Sequence, residues 1–123
     1  MTKLIYTTDL AHAGEAVVFG PWCWIKIHPD HHGDEGLLVH EQTHIDQHWR
    51  TWWCHSLMYW WSAEYRLTAE CEAYARQYHT YDLPPHDLAE IFIDYLMGWY
   101  GLQMTRARVR GAFKTAVYTY RPA

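Results

Sequence analysis

Two histidines and a glutamate stand close together in LLVHEQTHIDQH, which spans residues 37–48. His40 and His44 are four residues apart, so on a helix they share one face about 6 Å apart along the axis, where both can bind one zinc ion. Glu41 lies about 100° around the helix from His40, within reach of a water on the metal. Zinc lowers the pKa of such a water towards about 7, and the glutamate would accept its proton during attack on a carbonyl. The segment thus predicts one zinc ion (Zn2+) per chain, with Glu41 as general base.

A catalytic zinc site also needs a third protein ligand and an open fourth position. The candidates are His48, Glu64, Glu70 and Glu72. His48 lies about 12 Å from His40 along the axis, so we expect it to support the ligands, contact substrate or lie on the surface. Glu70 borders the apolar stripe of a later helix, where a carboxylate is costly unless paired or metal-bound, whereas Glu72 points away. Glu70 is therefore the expected ligand, and an ion pair with Arg66 is the alternative.

A glutamate 26 residues after the second histidine of HExxH resembles the gluzincin branch of zinc metallopeptidases. The segment AECEAYA (69–75) is similar to the ExEAD helix of CAAX prenyl proteases and HtpX-type enzymes, and this resemblance implies Glu70 as the ligand. Tyr74 stands where those enzymes have an aspartate that supports the ligands, so a hydrogen bond from Tyr74 is expected instead. Over residues 30–114 the chain resembles small zincin-like proteins of bacteria and tailed phages, which implies a minimal domain without membrane helices.

The order of elements predicts an α+β, helix-dominated fold in a single zincin-like domain over 1–123. A small N-terminal antiparallel sheet is expected within about 4–28, followed by four to five helices within about 34–114. Its strands are LIYTT (4–8), GEAVVFG (14–20) and WCWIKIH (22–28). The last of these alternates apolar and polar residues, and we predict that it is the edge strand to which a peptide substrate adds. Helices are expected over 35–49, 51–61, 62–81, 86–100 and from 106, with Asp34 and Thr105 as N-caps.

Composition limits the class of partner and the compartment. The net charge of −4 argues against a generic nucleic-acid binder. Five of the ten basic residues fall after residue 105, as a solvated helix face or, alternatively, a phosphate-contacting patch. Three cysteines without a CxxC pair favour a reducing compartment. With no signal peptide and no apolar run long enough to cross a membrane, we expect a cytoplasmic protein, or one that is virion-associated or in the host cytoplasm if phage-encoded.

Aromatic residues are unusually frequent, with eight Trp, ten Tyr and three Phe, many of them in HWRTWWCHSLMYWW (48–61). Such side chains fill a small core and have polar edges suited to its rim. We expect core packing and self-association into a homo-oligomer through an aromatic surface. A surface for substrate or lipid is the alternative.

Together these patterns predict a zinc-dependent metallopeptidase that hydrolyses an amide bond of a peptide or protein. One alternative is a non-catalytic zincin-like protein with a structural or partner-binding role, for example one encoded by a phage. Another is a zinc amidase acting on a cell-wall peptide. The histidines at 28, 31 and 32 are a minor candidate for a second metal site, and the sequence assigns no donor for the developing oxyanion.

Overall fold

A computed structural model describes residues 2–10 and 12–123, which form three strands and then five helices. The strands are β1 (Thr2–Tyr6), β2 (Gly14–Phe19) and β3 (Trp22–Ile27). The helices are α1 (Glu35–Arg50), α2 (His55–Trp61), α3 (Ala63–Tyr78), α4 (Leu88–Trp99) and α5 (Arg106–Thr119). The predicted class, α+β with helix dominant, is confirmed.

The sheet is mixed, not antiparallel throughout as the sequence suggested. Its order is β1-β3-β2, with β2 antiparallel to β3 and β1 parallel to it. The turn between β2 and β3 contains Gly20 at φ 58°, a left-handed conformation that glycine adopts readily. The chain reverses between β1 and β2 and again at this hairpin, so β1 runs in the same direction as β3 and pairs with its remaining edge.

This order corrects the prediction for WCWIKIH. The strand is central and hydrogen-bonded on both sides, so it cannot accept a substrate strand. The strand beside the histidine helix is β2, whose Gly14 lies against α1. A Cβ at Gly14 would lie 3.1 Å from a methyl of Leu37 and 3.2 Å from Cγ of Glu41. The absent side chain therefore lets β2 approach α1 closely.

Helix α1 packs against the sheet on one side and against α3 on another. The cluster under the sheet joins Cys23, Ile25 and Ile27 to Ile45 of α1. The larger cluster joins α3, α4 and α5, with Leu96, Val109 and Phe113 almost fully buried. The face of α1 that carries the two histidines is turned towards Glu70 of α3. Layers on both sides thus fix the helix that bears the HEQTH motif.

Side-chain caps set several helix ends. The Asp34 carboxylate accepts a hydrogen bond from the Leu37 N–H at 3.0 Å, and Thr105 caps α5 by accepting from Arg108 at 3.2 Å. Both caps were predicted. Helix α3 ends at Tyr78, earlier than predicted, and α5 runs on to Thr119.

The basic C-terminal residues lie largely in ion pairs. Arg106 and Arg110 contact Glu90 of α4 at 2.8 and 3.0 Å, and Arg108 pairs with Glu64 of α3. These contacts match the solvated helix face rather than a free phosphate-binding patch. Within the part of the chain that the structure describes, no helix has the length and apolar character needed to cross a bilayer.

Candidate metal centre

Two buried histidines of α1 and a buried glutamate of α3 lie close together. The Nε2 atoms of His40 and His44 lie 3.3 Å apart, and the Glu70 carboxylate of α3 lies 3.3 and 3.2 Å from them. One donor atom from each residue lies within 4.8 Å of the other two, so the group could hold a metal ion. The structure thus brings together the three residues expected to bind zinc.

The chemistry of these donors fits a cation. Glu70 Oε1 is buried and lies 3.3 Å from His40 Nε2 without forming a hydrogen bond. Burial lowers the pKa of His44, but the charge and hydrogen bond of Glu70 outweigh burial and raise that pKa to about 9. Burial opposes ionisation of Glu70, yet the charge of His44 and the close approach of both imidazoles lower the pKa of this carboxyl. Because the pKa of His44 is raised to about 9, the surroundings of its imidazole favour positive charge. Two imidazoles with one carboxylate are also a donor set typical of catalytic zinc.

Gln47 orients one of the histidines. Its Oε1 can only accept a hydrogen bond, so the contact at 2.9 Å places a proton on Nδ1 of His44 and leaves Nε2 to face Glu70. The Gln47 amide in turn donates to the Ala69 carbonyl of α3 at 2.9 Å. Support of this kind fixes a metal-binding imidazole. Sequence reasoning missed Gln47, although its position one turn after His44 was a usable signal.

Glu41 lies at the same site and is buried at 6% exposure. Burial raises the pKa of its carboxyl, against the smaller lowering effects of His40 and His44. A carboxylate with a raised pKa is a better proton acceptor, as a general base requires. The predicted base and the three predicted ligands therefore line one cleft.

Tyr59 of α2 contacts the candidate ligand set directly. Its hydroxyl donates to Glu70 Oε2 at 2.6 Å, and burial raises the pKa of this phenol, so it stays protonated. The hydrogen bond holds Oε2, while Oε1 faces Nε2 of His40 at 3.3 Å without a hydrogen bond. No sequence pattern identified this residue, because α2 and α3 are brought together only by the fold.

Replacing Tyr59 with Phe is expected to weaken zinc binding about 10-fold to 100-fold, because Glu70 loses the donor that fixes its carboxylate. The zinc dissociation constant would be measured by competition with a chromophoric chelator. Tyr65→Phe is a matched control, because the Tyr65 hydroxyl forms its hydrogen bond with Nδ1 of His55, at 2.7 Å, and not with Glu70. Equal zinc affinity in the Tyr59 variant and the wild type would contradict this role.

Tyr74 supports the site through its ring. The ring packs against that of His40 with centroids 4.3 Å apart, and its hydroxyl forms a 2.6 Å hydrogen bond with Tyr100. The expected hydrogen bond therefore goes to another tyrosine and not to a ligand. Packing against the Tyr74 ring restricts the orientation of the His40 imidazole.

Other sequence candidates lie outside the cluster. His48 is buried, and its Nε2 contacts the Gly20 carbonyl at 2.8 Å, since two helical turns carry it past the site. His48 thus lies outside the group of three candidate ligands and contacts the β2–β3 turn. Glu72 pairs with Arg50 and Arg76 at 2.6 and 3.0 Å.

Two alternatives from the sequence, an ion pair between Arg66 and Glu70 and a second metal site at 28–32, are not found among the described residues. The Arg66 guanidinium does not pair with Glu70 but donates to main-chain carbonyls of Tyr59 and Tyr100 at 2.8 and 2.9 Å. In the loop at 28–32, His31 faces Asp34 at 3.4 Å. Among the described residues, only the cluster with Glu70 groups three metal-binding side chains closely enough to share an ion.

The cluster opens into a cleft of about 670 Å³ between β2, α2 and α4. Its far wall is aromatic: Tyr95 stacks on Trp99 with ring centroids 4.2 Å apart, and Trp99 stacks on His12 at 4.8 Å. His55 of α2 also lines the cleft, with its ring 5.7 Å from that of His44. Burial, and next the charge of His44, lower the pKa of His55 to about 4, so its imidazole is neutral.

Comparison of the chain with protein-family models, with curated proteins and with solved structures gives no match. The resemblance to gluzincins therefore depends on the motif residues themselves. The geometry of the cluster has to support any functional assignment.

Proposed function

We propose that this chain is a zinc-dependent metallopeptidase that hydrolyses an amide bond in a peptide or protein. The observation that carries the proposal is the buried group of His40, His44 and Glu70, with Glu41 beside it, at the end of a cleft. The three side chains would hold one zinc ion per chain. A structural zinc site takes four protein ligands. The described residues supply three such ligands, which favours catalysis over a purely structural metal.

When bound, zinc would supply a Lewis acid that polarises the substrate carbonyl and lowers the pKa of a water. Glu41 accepts and returns the proton, and its burial suits it to do so. Gln47 keeps Nε2 of His44 turned towards Glu70, and Tyr59 holds the Glu70 carboxylate. Because these supports come from packed helices, the reacting groups are positioned before substrate arrives.

Strand β2 supports a peptide as the substrate class. It lines the cleft through Gly14 to Ala16 and Val18, and within the described residues it pairs only with β3. An extended peptide can add to such an edge through main-chain hydrogen bonds. The aromatic wall of the cleft would then contact apolar side chains of the substrate.

Metal removal tests this proposal. Protein purified without chelator is expected to contain about one zinc per chain by elemental analysis, in line with a three-ligand catalytic site. Treatment with a chelator should abolish hydrolysis of a peptide library and lower the Tm, because a ligand that binds only the folded state stabilises it. Adding zinc back should restore both.

Two results would overturn the assignment. Absence of zinc even after the metal is added back would leave HEQTH as a helix pattern without metal chemistry. Turnover of cell-wall muropeptides, without cleavage of unfolded protein or peptides, would replace the peptidase by the amidase alternative.

A further inference from the structure

We propose that two copies of this chain form a symmetric dimer through an exposed aromatic face made of Phe19, Trp22, Trp49, Trp52 and Trp53. Phe19 and Trp22 flank the β2–β3 turn, and the three other residues surround the end of α1. All five are exposed, with Trp52 at 89% and Phe19 at 71%. Exposed apolar patches of this kind mark interaction sites. The inference is independent of the proposed zinc chemistry.

The two parts of the face are joined into one surface. His48 Nε2 contacts the Gly20 carbonyl at 2.8 Å, which ties the β2–β3 turn to the end of α1. His48 also stacks on Trp53 at 6.4 Å between ring centroids, and Trp49 lies 5.8 Å from Trp53. The role of the buried His48 is therefore to hold the aromatic turn against the aromatic helix end.

Backbone conformation indicates that the exposure of these rings has a function. Trp52 and Trp53 have φ values of 53° and 68°, in the left-handed region that bulky residues rarely adopt. Glycine or asparagine would occupy these positions with less strain. Strain of this kind concentrates at binding sites, where it presents a side chain that a partner contacts.

The accessible area of the chain exceeds the average for a monomer of its mass and leaves room for an interface. The chain exposes 7714 Å². A monomer of its mass, 14.7 kDa, is expected to expose about 6,900 Å². The excess of about 800 Å² is the area that each partner buries in a standard protein interface. Tryptophan is also among the residues enriched in the energetic centres of such interfaces.

Charge favours a second copy over a lipid surface. Residues 17–25 and 47–63 contain one charged side chain, Arg50, and its guanidinium is paired with Glu72 at 2.6 Å. A lipid-binding face normally carries lysines or arginines, and a net charge of −4 disfavours approach to anionic lipid. Two aromatic faces with few charges can meet about a two-fold axis with little repulsion between like charges.

Sedimentation equilibrium of the full chain tests the proposal. The wild type is expected to be a dimer at about 10 µM, and Trp52→Glu should raise the dissociation constant at least about 100-fold, since a symmetric interface loses the ring twice. Trp22→Glu at the turn should act in the same direction. Neither side chain is in the core, and circular dichroism would verify that both variants fold.

Leu83→Glu is the matched control, because Leu83 is 92% exposed and lies outside the face. It should leave the dimer intact. The proposal is overturned if the wild type is monomeric, if Trp52→Glu remains dimeric, or if Leu83→Glu dissociates the dimer equally. A monomeric wild type that co-sediments with phosphatidylcholine vesicles would assign the face to lipid instead.

Discussion

Glu41→Gln is expected to lower kcat/KM for peptide hydrolysis by about 10²-fold to 10⁴-fold, the contribution typical of a positioned general base. Glutamine keeps the size and hydrogen-bonding shape of the side chain but cannot accept a proton. Glu41 belongs to the cleft wall and not to the group of three donor atoms, so the zinc content should stay at the wild-type value. The measurement combines steady-state kinetics with elemental analysis on the same preparation.

Glu15→Gln is the matched control for this change. Glu15 also lines the cleft but is exposed on β2, so the variant removes the same charge without removing a buried base. Its activity should stay within a few-fold of the wild type, as expected for a solvated charge. Wild-type hydrolysis by the Glu41 variant would show that catalysis uses another base.

Glu70→Gln is expected to weaken zinc binding by more than about 100-fold, because loss of a ligand should exceed the 10-fold to 100-fold cost of losing a supporting residue. The neutral amide removes the charge that faces both histidines at 3.2–3.3 Å. Competition with a chromophoric chelator would give the dissociation constant, and hydrolysis should fall with zinc occupancy.

Glu72→Gln separates loss of a ligand from loss of a buried carboxylate on the same helix. Glu72 is 5% exposed, but its contacts are Arg50, Arg76 and Gln47. Its replacement should reduce the free energy of unfolding by about 1–3 kcal/mol in urea titrations, as for other charged hydrogen bonds. Its zinc affinity should stay within about tenfold of the wild type. Equal zinc loss in the two variants would remove Glu70 from the ligand set.

Local sequence determined much of what surrounds the motif. The pairing of His40 with His44 follows from the pitch of a helix, and the cap at Asp34 follows from a short polar side chain before an uninterrupted helical segment. The position of Glu70 beside an apolar stripe was enough to predict that it faces the core and not the solvent. These features depend on residues within one or two turns of each other, so their periodicity is visible in the sequence.

The tertiary structure decided the rest, because it depends on contacts between residues distant in sequence. The alternation of apolar and polar residues within a strand does not indicate which strands are neighbours. It therefore did not predict that β1 pairs with the second edge of β3 and that β2 lies beside the cleft. Tyr59 reaches Glu70, and Gln47 reaches the Ala69 carbonyl, only after α1, α2 and α3 have packed. The types and spacing of the groups that could hold a metal are visible in the sequence alone. Packing determined which neighbours orient those groups and which edge of the sheet they face.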